Sequence, residues 1–184
     1  MSRAKPPAPP RAGRKKSRRP GHAVSAAAAA INRRADGGPK PGILLYGIGN
    51  PGRRDDGLGV ELARRAGTLN LDNLDCDSDY QLNIEDAETI SHYDVVVFAD
   101  AAFDLDNPFE FKEIEPARKA AFTTHELGPE SVLALCLELF AASPKAFVLA
   151  VRGYRFEARE GITRKAEKNL NLALDFLAGF LDRL

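Results

Sequence analysis

Three places in this chain carry side chains that could do chemistry together. Asp55 and Asp56 follow the apolar run Ile43 to Ile48, Asp100 follows the run Asp94 to Ala99, and His125 follows the pair Thr123-Thr124. Two carboxylates and an imidazole make an oxygen and nitrogen donor set suited to a divalent transition metal. Each residue taken singly has an ordinary explanation. An acid in the first turn of a helix suits the exposed amides and the positive end of the dipole, so Asp56 alone could be a cap. Asp100 alone could be a turn residue, and His125 a solvated one. A site requires that the fold bring all three to one edge.

The predicted elements supply such an edge. Ile43 to Ile48 reads as a buried strand, and Leu58, Leu62, Ala63 and Ala66 then recur at helical spacing until Gly67. Leu69 to Asp77 alternates weakly, as an edge strand would, and Asn83 to Ser91 is a short helix candidate. The run DVVVFA, Asp94 to Ala99, is apolar on both faces, which predicts a central strand covered by helices on both sides. Phe109 to Ile114 alternates apolar with polar, as expected of a strand near the edge or an antiparallel one. Thr123 and Thr124 are expected to cap a helix that tolerates Pro129 in its first turn and runs through Val132, Leu133, Leu135, Cys136, Leu139 and Phe140. Lys145 to Val151 is another buried strand. Thr163 opens a long helix with Leu170, Leu174, Leu177, Leu181 and Leu184 along one stripe. Strands alternating with helices predict a three-layer α/β/α sandwich on a mostly parallel, mixed sheet of about five strands, phosphorylase/hydrolase-like, with active-site groups at the strand ends.

Charge divides the chain in two. Residues 1–40 hold eleven Lys or Arg against one acid, Asp36, for a net charge of +10, and the remaining 144 residues hold fifteen bases against twenty-five acids, for −10. The first segment is rich in Pro, Gly and Ala and lacks aromatic residues, so it cannot bury enough surface to offset its ordering entropy and is expected to be a disordered tail. Residues 41–184 are the expected catalytic domain. The acidic body argues against a nucleic-acid partner. No membrane-spanning run is present, and Cys76 and Cys136 lack a metal-ligand spacing, so two free thiols in a reducing, cytoplasmic compartment are expected.

The loop Gly47-Ile48-Gly49-Asn50-Pro51-Gly52 also satisfies the glycine pattern of a dinucleotide site. Its chemistry opposes that role, because Pro51 removes a donor and Asp55-Asp56 puts negative charge where phosphates would sit. The same GIGNPG segment resembles the start of the peptidyl-tRNA hydrolase family. There a histidine-bearing run follows, and here Arg53 to Gly59 stands in its place without a histidine.

From residue 42 onward the chain resembles the hydrogenase maturation endopeptidases. That family opens with G-x-G-N-x-x-x-x-D-D/E-x-x-G, matched here by Gly47, Gly49, Asn50, Asp55, Asp56 and Gly59. Ala99-Asp100-Ala101 matches its central-strand aspartate, and Thr124-His125-Glu126-Leu127 with Val132-Leu133 matches its histidine and the helix after it. Gly153 and Gly161-Ile162-Thr163 fit as well. The resemblance implies an endopeptidase that removes a C-terminal peptide from the nickel-loaded large-subunit precursor of a nickel-iron hydrogenase, with no nucleophilic side chain. It implies that Asp56, Asp100 and His125 ligate the precursor's nickel and that the metal or a carboxylate polarises the carbonyl or activates water. A monomer is expected. Asp55 is expected to cap or to orient rather than to ligate. The chain departs from the family's Asp-Gly-Gly turn after the second strand, where it has Asp79 to Ala87. A peptidyl-tRNA hydrolase-like esterase and a non-catalytic docking module of the same fold are the alternatives.

Overall fold

The computed structural model describes residues 41–69, 71–118 and 127–184. The expected tail, residues 1–40, lies outside them. Five strands form one sheet: β1 (Ile43–Ile48), β2 (Leu74–Asp79), β3 (Val95–Ala102), β4 (Phe109–Ile114) and β5 (Lys145–Arg152). Their order is β2-β1-β3-β5-β4. All neighbours pair in parallel except β4, which runs antiparallel to β5 at the edge. The alternating pattern of Phe109 to Ile114 fits both properties, since an edge strand keeps one face wet.

Helices α1 (Leu58–Ala66), α2 (Asp86–Ile90), α3 (Pro129–Phe140) and α4 (Arg164–Leu181) cover the two faces. Alternation along each strand sends its side chains to two separate cores. Ile43, Leu45, Val95, Val97, Ala99, Leu149 and Val151 meet α1 and α4. Leu44, Tyr46, Val96, Phe98 and Ala146 meet α2 and α3. β3 stands in the middle of the sheet, and Val96, Val97 and Phe98 have no exposed surface. Burying each of these contributes about 1.5 to 3 kcal/mol. This is why the run is apolar on both faces.

Three differences from expectation bear on the site. β2 begins at Leu74, because Gly67–Leu69 is a 3-10 turn that prolongs α1. β3 continues to Ala102, so Asp100 lies inside the strand and pairs with Ala150 instead of following it. A strand read from hydropathy stops at its first charge, yet the backbone ladder continues as long as a partner strand does. The third difference concerns α3. Its first residue is Pro129 and its N-cap is Gly128, at φ −84° and ψ 166°, with no side-chain cap. Proline disfavours helical backbone in the residue before it, which places Gly128 extended as the N-cap and Pro129 as the first helical residue. Thr123 and Thr124, the expected caps, lie outside the described residues.

Candidate functional site

After β1 the chain crosses to β2 on one side, and after β2 it returns past β1 to β3 on the other. The carboxyl ends of β1 and β3 are therefore the point where the sheet's winding reverses, and the crevice between them is where α/β folds of this kind bind ligands. Asp56 sits in a 3-10 turn, Arg54–Gly57, just past β1. Asp100 is the sixth residue of β3. The fold brings these two predicted site residues to the same end of neighbouring strands.

Two glycines make the approach close. Gly49 has φ +131°, and a Cβ there would run into the carbonyl oxygen of Asp56. A Cβ on Gly59 would run into the carbonyl oxygens of both Ile48 and Ala99, the residue before Asp100. The first turn of α1 can thus lie directly on the ends of β1 and β3. The glycine pattern packs a helix against strands and does not cradle phosphate. Its amides are already committed: Gly49 N donates to Asp79 O (3.1 Å) and Arg53 N to Asn50 O (2.9 Å), while Gly52 N donates to Asn50 Oδ1 (2.9 Å).

The adjacent aspartates have opposite surroundings. Asp55 has no exposed surface and accepts four hydrogen bonds, from the amides of Tyr154, Arg155 and Thr163 and from the Thr163 hydroxyl, at 2.7 to 3.1 Å. Asp56 keeps its side chain 32% exposed. Its Oδ2 accepts from Asn50 N at 3.2 Å and lies 3.9 Å from Arg53 Nε. Asp100 is half-buried, with Oδ1 accepting from Ala101 N at 2.7 Å. Asp56 therefore has the exposure and the spare oxygen that a ligand needs, whereas Asp55 is saturated by the protein.

His125 lies outside the described residues. Leu127, two residues on, forms an isolated antiparallel bridge with Leu82, three residues beyond the carboxyl end of β2. Among the described residues no group of three or more His, Cys, Asp or Glu is disposed to hold a metal ion. The oxygen donors present, Asp56 and Asp100, are hard ligands that fit a divalent cation once a further donor joins them.

The turn after β2, in place of Asp-Gly-Gly, is anchored by Asp86. Its buried carboxyl accepts from Tyr46 Oη at 2.9 Å and from Asn83 N at 2.6 Å. Burial raises the Asp86 pKa above the usual carboxylate range, with Asp79 and Asp77 nearby adding to the effect. Burial, with the Asp86 carboxyl beside it, also pushes the Tyr46 phenol upward. Neither cysteine offers a thiolate: both are free, and burial pushes Cys76 to about 12 and Cys136 to about 11. Cys76 is half-buried and Cys136 buried.

Sequence reasoning missed Thr163 as a part of this site. Thr163 was legible as the start of α4, and it does accept from Ala166 N at 3.3 Å as the N-cap. Its bond to Asp55 spans 108 residues. The Arg54 side chain is only 17% exposed, against 54% for its neighbour Arg53.

No family model matches the sequence, and no curated protein sequence does. Solved structures do match. The NiFe hydrogenase maturation protease HycI from Thermococcus kodakarensis superposes with a TM-score of 0.61 at 21% identity, over 78% of this chain and 95% of its own. The hydrogenase maturating endopeptidase HybD from E. coli gives 0.60 at 21% identity, over 77% and 92%. The hydrogenase 2 maturation peptidase from a Thaumarchaeota archaeon gives 0.57 at 21% identity, over 76% and 97%. With a five-stranded mixed sheet wound in this order and the two aspartates at its reversal point, the domain has the fold of the hydrogenase maturation proteases.

Proposed function

We propose that the protein is an endopeptidase that removes a C-terminal peptide from the nickel-loaded large-subunit precursor of a nickel-iron hydrogenase. The observation that carries the reading is the half-exposed Asp56 beside the end of β3, where Asp100 lies, in a fold shared with maturation proteases. Asp56, Asp100 and His125 ligate the nickel of the bound precursor. Cleavage is then confined to loaded substrate, because an empty precursor lacks the contact that holds it in the crevice. Nickel held by these residues would supply a Lewis acid for the scissile carbonyl, or a carboxylate such as Asp56 would activate the attacking water. The thiols of Cys76 and Cys136, held protonated at neutral pH, play no part as nucleophiles. Two free thiols also suit a reducing cytoplasm.

The test is to incubate the full chain with nickel-loaded hydrogenase large-subunit precursors and follow the precursor's C-terminal mass. Wild type should release the peptide, and Asp56→Ala, Asp100→Ala and His125→Ala should not. Absence of cleavage with every precursor tried would sink the protease reading. Undiminished cleavage by His125→Ala would sink the ligand set.

A further inference from the structure

Arg54 and Ala141 are the non-glycine residues with positive φ among the described ones, and Arg54 sits at +54°. A bulky residue held there costs on the order of 1 kcal/mol and persists only where its surroundings over-determine it. Ala141 ends α3, where such a conformation is ordinary. Arg54 begins the turn that carries Asp56.

The restraint comes from the connection between β5 and α4. The carboxylate of Asp55 accepts from Tyr154 N (2.8 Å), Arg155 N (3.1 Å), Thr163 N (2.7 Å) and Thr163 Oγ1 (2.9 Å). Backbone bonds run alongside, from Arg54 N to Arg159 O (2.7 Å) and from Asp55 N to Arg155 O (3.0 Å). The Arg54 side chain adds Nη1 to Gly161 O (3.4 Å) and an ion pair with Glu157 (3.5 Å). With Arg54 and Asp55 turned into the protein, their neighbours Arg53 and Asp56 are left outside.

We propose that Asp55 is the positioning residue of this site. By clamping residues 153–163 it holds the left-handed turn at Arg54 and so aims the Asp56 carboxylate at the crevice. The same clamp sets the far wall, because Phe156 of that connection packs edge-on against Phe103, three residues past Asp100, with ring centroids 5.9 Å apart. Asp55 acts through Asp56 and touches no substrate. The proposal rests on the reading of Asp56 as a nickel ligand.

The test is calorimetric titration of Ni2+ into the full chain, at a temperature where circular dichroism shows each variant folded. Asp55→Asn keeps the shape but turns an NH2 group toward donors that need an acceptor. It should weaken Ni2+ binding by about tenfold or more, the scale found when groups behind metal ligands are removed. Thr163→Val should weaken it a few-fold and Thr163→Ser should restore it, which keeps the test readable should Asp55→Asn not fold. Amide exchange in residues 153–163 should accelerate in Asp55→Asn and stay slow in Asp56→Ala. Wild-type Ni2+ affinity in folded Asp55→Asn, or in Thr163→Val where the first does not fold, would overturn the proposal, since that is the behaviour of a purely structural acid. A wild type that binds no more Ni2+ than Asp56→Ala overturns the ligand reading itself, and the proposal falls with it.

Discussion

Two connections at the carboxyl edge of the sheet are each anchored by a buried aspartate, and they are anchored differently. After β1, Asp55 accepts four hydrogen bonds, three of them from backbone amides. After β2, Asp86 accepts two, from Tyr46 and the Asn83 amide, with Asp77 and Asp79 close enough to oppose its charge. A buried carboxylate is stable as an anion when enough donors replace its lost hydration. Asp86 lacks that complement, so burial and its acidic neighbours raise its pKa. The loop that carries the candidate ligand is thus built on a carboxylate with four donors, and the turn beside it on one with two donors and a raised pKa.

The contrast is broken most directly by deleting the carboxylate with four donors. Asp55→Ala leaves three part-buried amides and the Thr163 hydroxyl without their acceptor and should lower unfolding free energy by about 3 to 5 kcal/mol, measured by urea denaturation. A loss below about 1 kcal/mol would mean that water replaces Asp55 and that the loop is not clamped.

A surface carboxylate gives the scale for comparison. Glu61 accepts from Arg64 Nε and Nη2 and from Arg65 Nε at 2.7 to 2.8 Å, and these bonds hold its pKa near 2, below the ordinary 4.5. Because the folded value is depressed, its contribution is present above the ordinary value and fades as pH falls from about 4.5 toward 2. Its side chain is 23% exposed, so Glu61→Gln should cost about 1 kcal/mol at neutral pH. The difference from wild type should vanish in urea melts near pH 2.

Asp86 should show the opposite slope. A carboxyl whose folded pKa is raised stabilises the fold below its unfolded pKa and loses that contribution as pH rises through the folded one. Melting temperatures of Asp86→Asn relative to wild type should therefore improve as pH is raised from 4 to 7. A constant gap would show that burial does not raise the Asp86 pKa.

The smallest stability effect belongs to the candidate ligands. Asp56→Ala gives up one half-exposed bond from Asn50 N and should change stability by no more than about 0.5 kcal/mol, measured in the same melts. The neighbouring aspartates would then differ sharply in stability, the buried Asp55 being costly to remove and the half-exposed Asp56 not.

Much of the fold was legible because it depends on local pattern. Val95 to Ala99 had to be central, since a strand with no polar face can only stand between two layers. Phe109 to Ile114, with one polar face, read as a strand near the edge or an antiparallel one, and it is both. The pairing of Asp56 with Asp100 was legible at one remove, because strand ends collect at one edge in any parallel sheet. Beyond that, local spacing carried no information. Nothing in Arg53-Arg54-Asp55-Asp56 says which arginine turns inward or which aspartate is buried. The donors that decide it lie 99 to 108 residues away, at Tyr154, Arg155 and Thr163. The sequence by itself determined the layers of this protein and the residues at their edge. Only the tertiary structure showed how Asp55 is buried and held, because a carboxylate's surroundings depend on which donors reach it, and here they come from the far end of the chain.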